Sequence, residues 1–207
     1  GLAYAAVARM DRDGRLLDGD AAPEPRPSGS VLTPLFMRNF IPTSTVVVRR
    51  ACLDEAKGFD EWRRLISVED YDLWLRIAER HEVVYVPQRL ARYRLHPAGI
   101  SQDPARSYWG EKLVIERALE RCGGWHPELL HCLPARLRRL FFDFGYELFA
   151  RHDLRGARRQ FLRSLRHGPL QPRVWAYVLA TFLTPVGVDG IRRVKRLARR
   201  RIGAYPV

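Results

Sequence analysis

Ser67-Val-Glu-Asp-Tyr-Asp-Leu-Trp-Leu-Arg76 sets three carboxylates, Glu69, Asp70 and Asp72, at the head of an apolar stretch. Leu73, Trp74, Ile77 and Ala78 recur at helical spacing, which predicts an amphipathic helix over residues 68–80 with a buried stripe. Ser67 is a candidate N-cap, with Asp70 three residues on in the place of a capping-box acid. Acids in a first turn are favoured by the helix dipole in any case. An acid standing over a packed apolar face is also rigidly placed, as a general base must be.

Outward from this helix, four further pieces follow in order. Upstream lie Asn39-Phe-Ile-Pro-Thr-Ser-Thr-Val-Val-Val-Arg-Arg50 and Gly58-Phe-Asp-Glu61. Downstream lie Val83-Val-Tyr-Val-Pro-Gln-Arg-Leu-Ala-Arg-Tyr-Arg-Leu-His96 and Ser101. Each piece alone is a weak motif, but their joint order and spacing are specific. Together they resemble the C-terminal half of the catalytic domain of family 2 glycosyltransferases, the inverting GT-A type. The resemblance covers roughly residues 1–103.

The resemblance implies an α/β fold. Residues 1–103 would be the acceptor-side half of a Rossmann-like GT-A domain, and residues 104–207 a basic all-α appendage. It also implies roles for particular residues. Asp70, the second acid of the Glu-Asp pair, would deprotonate the acceptor hydroxyl, since a neutral hydroxyl is a poor nucleophile. Such a proton transfer contributes about 10²–10⁴-fold. Glu69 would place the acceptor or Asp70. Trp74 joins that positioning set, although its spacing marks it first as core packing. His96 would reach the metal and the donor diphosphate, and Arg94 would balance leaving-group charge, sharing a strand face with His96. Arg92 is the alternative to Arg94, on the other face. Asp72 points elsewhere on the helix and reads as structural.

The expected partners are a nucleotide-diphosphate sugar and a saccharide or lipid-linked acceptor, in surface-polysaccharide or glycolipid assembly. The expected cofactor is Mg²⁺ or Mn²⁺. The main ligands of that metal, an Asp-x-Asp motif, should precede residue 1, so a piece of a longer enzyme is expected, inactive by itself. Asp11-Arg-Asp13 spells the motif but sits before a Gly turn, where family members commonly carry a hairpin. The competing reading is a non-catalytic truncated module whose basic helices bind membrane, nucleic acid or a partner protein.

Composition limits the choices. Apolar residues at 46% and charged residues at 29% indicate a globular rather than a disordered chain. Residues 1–103 carry 15 basic and 15 acidic side chains, whereas residues 104–207 carry 21 and 8, so the whole excess of +13 lies in the second half. A pI near 10.5 brings no base-stacking or recognition motif with it, so nucleic acid is not an expected partner. Cys52, Cys122 and Cys132 are too few and too scattered for a disulfide framework and fit a reducing, cytoplasmic setting. The set Cys122, His126, His131 and Cys132 matches no usual zinc spacing.

The chain opens with an expected buried strand over residues 2–9, a tight turn at Asp11-Arg-Asp-Gly14 and an exposed loop over 18–30. Residues 45–48 are β-branched and predict a strand buried on both faces. A short helix over 51–57 should be closed by Gly58. Residues 83–86 and 90–95 predict two strands around Pro87-Gln88. Helices are expected over 105–121, 134–151, 154–166, 172–182 and 189–200. The middle pair, with Asp153 as N-cap and Gly168-Pro169 as stop, resembles one tetratricopeptide unit, and one unit does not make a repeat array. Residues 192–201 space their arginines around Ile191, Val194, Leu197 and Ala198, a basic amphipathic pattern suited to an anionic membrane surface or to nucleic acid, with peripheral association at the inner face of a membrane the expectation. Residues 174–188 are apolar but too short to span a bilayer, and Pro185 interrupts them.

Overall fold

The computed structural model describes residues 1–17, 22–95, 103–122 and 124–182. Within them the protein is a mixed α/β structure with a small three-stranded sheet, order β2-β1-β3. The elements are β1 (Leu2–Met10), α1 (Leu32–Met37), β2 (Val47–Val48), α2 (Arg50–Glu55), α3 (Glu69–Ala78), β3 (Val83–Arg94), α4 (Pro104–Cys122), α5 (Pro127–Ala150), α6 (Leu154–Arg166) and α7 (Pro172–Ala180). Two compact units divide the chain, Gly1–Leu130 and His131–Val207.

In the first unit, β1 is the central strand. Its small and β-branched residues let neighbours approach on both sides, and Leu2, Tyr4, Ala5 and Ala6 are buried. β3 runs parallel to it from Leu2↔Val83 to Met10↔Arg94. The two strands expected around Pro87-Gln88 are one strand. The ladder shifts register between Ala5 and Ala6 and again between Ala6 and Val7, so the extra residues bulge out and pairing resumes beyond them. Proline is tolerated there because a bulge needs no ladder donor.

The strand expected over 45–48 shrinks to Val47–Val48, antiparallel to Leu2–Ala3, and Val47 is 73% exposed. The physical reason is Thr45. Its hydroxyl oxygen accepts from Ala5 N at 3.1 Å and lies 2.9 Å from Pro42 O, which draws Thr43–Thr45 into a 3-10 turn. Local side-chain bonding of this kind competes with a ladder. The turn at Asp11 forms as expected: Gly14 N donates to Asp11 O at 3.2 Å, and the Asp11 carboxylate accepts from Asp13 N and Arg15 N. Of the expected loop, residues 18–21 lie outside the described residues. Its second part is tied down where Gly29 and Val83 exchange backbone bonds at 2.7 and 2.9 Å.

α2 ends at Glu55, two residues short of the expected Lys57; Lys57 (φ +61°) and Gly58 (φ +64°) both turn left-handed, and Gly58 N donates back to Leu53 O at 3.0 Å, so the chain is closed there. α4 packs with this first unit. Gly110 lies where a Cβ would stand 2.6 Å from Val68 Cγ2, and Arg117 and Arg121 form ion pairs with Asp60 and Glu79.

In the second unit, α6 runs Leu154–Arg166, with Asp153 accepting from Gly156 N at 2.8 Å as N-cap. Phe149, Phe161, Leu165, Val174, Tyr177 and Val178 form its core. Tyr177 is the hub, with ring centroids 5.4 Å from Phe161 and 5.5 Å from Phe149. α5 starts at Pro127 rather than Pro134, which lies inside the helix. The helix predicted over 189–200 lies outside the described residues.

Candidate active site

Residues before α3 decide how its acids are held. The chain enters through a 3-10 turn at Arg63–Leu65, and Leu65 O accepts from Val68 N at 2.8 Å. Ser67 then takes φ +82°, an uncommon conformation for a residue with a side chain. The expected Ser67 cap therefore does not form. Val68 is the N-cap, no side chain bonds the first turn as a cap, and the Ser67 hydroxyl is buried without a partner. Tyr71 fixes the helix by donating to the carbonyls of Leu35 (3.0 Å) and Phe36 (2.9 Å), tying α3 to α1.

Asp70 is half-buried at the head of this anchored helix. Its carboxylate accepts from the Thr43 hydroxyl and from Tyr71 N at 2.6 Å. Thr43 belongs to the 3-10 turn whose Thr45 is bonded to the middle of β1. One short 3-10 turn is thus bonded at Thr45 to the central strand and at Thr43 to the acid. Burial pushes the Asp70 carboxyl above its ordinary range, and the Glu69 charge adds to that rise; the Thr43 and Tyr71 donors pull only partly the other way. A carboxylate so placed holds a proton more readily than a surface aspartate does.

Glu69, next to it, presents a different anomaly. Its Oε2 is buried and finds no hydrogen-bond partner, and the same holds for Ser67 Oγ and Trp74 Nε1. A buried polar group left unmade costs about 1–3 kcal/mol. Three such atoms fall within residues 67–74, the stretch that also holds the acid of raised pKa. The Trp74 ring is buried against Phe59, with centroids 6.1 Å apart, and its N–H is buried with it, so the residue acts as core packing for α3.

Asp72 is structural, as its place on the helix implies. It is fully buried between Arg76 (2.8 Å) and Arg121 (3.4 Å), and Arg121 continues to Glu79 at 2.8 Å. Arg94 is committed to the turn after β1, donating to Arg12 O at 2.6 Å and Asp11 O at 3.4 Å. Arg92 is exposed. His96 lies outside the described residues. Asp11 is occupied within its own turn by backbone donors. Among the described residues no group of three or more His, Cys, Asp or Glu side chains could hold a metal ion. Cys122 points its thiol at Ala118 O (2.8 Å), and His126 pairs with Glu128.

Thr43 is the residue that sequence reasoning missed. Its only signal was a place in the Pro42-Thr-Ser-Thr run, one of the pieces that carried the resemblance. The sequence matches no family model, and no curated protein is significantly similar to it.

Proposed function

We propose that the first unit is the acceptor side of an inverting glycosyltransferase of the GT-A type, with Asp70 as the general base. The observation that carries the reading is the Asp70 carboxylate. It is half-buried, raised in pKa by that burial, held by Thr43 and the Tyr71 amide, and flanked by the unpartnered Glu69 Oε2. Those are the properties of a base poised to take a proton.

In this reading an acceptor hydroxyl binds at the head of α3, steered by Glu69, on the helix that Trp74 anchors in the core. As its oxygen attacks the anomeric carbon of the donor sugar, its proton passes to Asp70. The bond from that carbon to the nucleotide diphosphate breaks on the opposite side, and the leaving group departs with the electron pair. Attack opposite the leaving group inverts the anomeric configuration.

The reading calls for Mg²⁺ or Mn²⁺ at the diphosphate. The described residues do not fit such a site: Asp11 is used by its turn and no acid cluster assembles elsewhere among them. No step is therefore assigned to a metal on this part of the chain, and Arg94 and His96 remain proposed contacts of the diphosphate. A peripheral place at the inner face of a membrane would suit a lipid-linked acceptor. Among the described residues no helix is long and apolar enough to cross a membrane.

The test is Asp70→Asn in the full-length protein, assayed with a panel of nucleotide-diphosphate sugars and hydroxyl acceptors. The expected result is a fall in kcat of at least about 10²-fold with donor KM nearly unchanged. Near-normal turnover removes Asp70 from the mechanism.

A further inference from the structure

The two compact units differ in charge as sharply as in fold. Residues 1–130 carry 19 basic and 19 acidic side chains, so the entire excess of +13 belongs to the unit that begins at His131. Within it, residues 154–182, which make α6, α7 and the loop between them, hold six arginines and no acid. Arg155, Arg159, Arg163 and Arg166 recur at helical spacing along α6 and are all exposed.

The same hairpin exposes an apolar stripe. α7 buries Val174, Tyr177 and Val178 in the core and turns Trp175 and Leu179 outward, four residues apart on one face, and Phe182 is exposed in the turn just beyond its end. Leu179 is 68% exposed and Phe182 66%. Leu170, in the loop, is 95% exposed, and the loop is tied to α7 where Trp175 Nε1 donates to Pro169 O at 2.9 Å. At the other end the Arg158 guanidinium lies 3.8 Å over the Phe182 ring and bonds Thr181 Oγ1 at 3.1 Å. Tryptophan, phenylalanine and leucine on one face with arginines around them is the composition of a helix that lies in a membrane interface.

We propose that the α6–α7 hairpin seats the protein on an anionic membrane surface, with Leu170, Trp175, Leu179 and Phe182 inserted and the arginines at headgroup level. Charge selects this occupant over the others. Residues 183–207 carry seven basic side chains and one acid, so the chain's own C-terminal segment has the same sign as the hairpin. A second copy of the unit is equally positive. Nucleic acid would satisfy the arginines and could stack on Trp175 and Phe182, but would leave Leu170, at 95% exposure, and Leu179 in water. An anionic lipid surface satisfies both at once.

Co-sedimentation of the full chain with vesicles tests this, using phosphatidylcholine alone and equal parts phosphatidylcholine and phosphatidylglycerol, at low and high salt. The wild type should pellet with the anionic vesicles at low salt and be released by high salt. The variant Leu170→Ser/Leu179→Ser keeps every charge and should bind at least about tenfold more weakly, as loss of two inserted leucines implies. Leu170→Ser alone, in a loop where it supports no core, should weaken binding several-fold and serves as the variant that misfolding cannot confound. Failure of the wild type to pellet, equal pelleting with neutral vesicles, or wild-type binding by the stripe variants overturns the proposal. So does a stripe variant that changes the oligomeric state in the absence of lipid, which would assign the stripe to a second copy. None of these readouts depends on sugar transfer.

Discussion

Asp70 and Asp72 stand two residues apart on α3, and replacing each by asparagine should have opposite consequences for stability. Asp72 has no accessible side-chain surface and faces two guanidinium groups, Arg76 at 2.8 Å and Arg121 at 3.4 Å. Removing one partner of a buried pair costs about 3–5 kcal/mol, because the other charge is left uncompensated. Here Arg76 and Arg121 keep 15% and 26% of their surface, and Arg121 retains Glu79, which places the loss at the low end. Asp72→Asn should therefore cost about 3 kcal/mol, or about 6–12 °C in Tm for a chain of this size.

Asp70 runs the other way. Burial raises its carboxyl pKa in the folded protein, so folding favours the protonated form. The stability it contributes is present below the unfolded pKa and is lost as pH rises through the folded value. At neutral pH the charge is held against the preference of the fold, and Asp70→Asn should leave stability unchanged or raise it, even as it abolishes the proposed activity. Denaturant unfolding at pH 7, followed by far-UV circular dichroism, measures both as shifts in midpoint at constant slope. An Asp70→Asn protein less stable than Asp72→Asn, or two variants both within about 0.5 kcal/mol of wild type, would refute the division of roles.

Three further outcomes are expected. Thr43→Val removes the hydroxyl that pulls the Asp70 pKa down, so the acid limb of the activity profile, or the carboxyl ¹³C titration of Asp70, should move to higher pH; an unmoved limb would detach Thr43 from the site. Gly110→Ala should destabilise the first unit by about 1–3 kcal/mol, since its Cβ would stand 2.6 Å from Val68 Cγ2, and Val68→Ala should restore part of the loss in the double variant. Burial pushes the Cys122 thiol up to about 11, so at pH 8 it should react with a thiol reagent about 10²-fold more slowly in the folded protein than in denaturant, measured in a Cys52→Ser/Cys132→Ser background.

What the sequence disclosed follows the range of the forces involved. α6 could be read to its ends because Asp153 and Gly168-Pro169 act within a few residues of the helix they bound. β1 was legible as a continuous apolar run, and the apolar stripe of α3 because helical periodicity reports which side is buried. The errors occur where a distant bond overrides a local rule. Residues 45–48 have the composition of a core strand, but Thr45 bonds Ala5, forty residues away, and only two residues pair. Pro87-Gln88 reads as a break until β1 supplies a partner that carries the ladder past the bulge. Ser67 reads as a cap until its backbone turns left-handed.

The candidate site divides along the same line. A cluster of acids before an apolar run identifies Asp70 as a carboxylate on a rigid support, and the resemblance supplies its proposed role. Neither says whether that carboxylate is tuned. Tuning depends on how deeply the fold buries it and on a hydroxyl 27 residues away, and both are tertiary facts. The sequence sets Asp70 and Asp72 in one turn and favours Asp70 by the resemblance, reading Asp72 as structural from its place on the helix. The structure separates them by their partners: two arginines neutralise Asp72 and leave it nothing to do but hold α3 to α4. Asp70 meets a threonine, a backbone amide and the charge of Glu69, with no cation among those neighbours. A base must be able to reach a substrate proton in turnover, and both carboxylate oxygens of Asp72 are buried and taken up by arginine donors. The environment of Asp70 is therefore the one of the two that proton transfer can use.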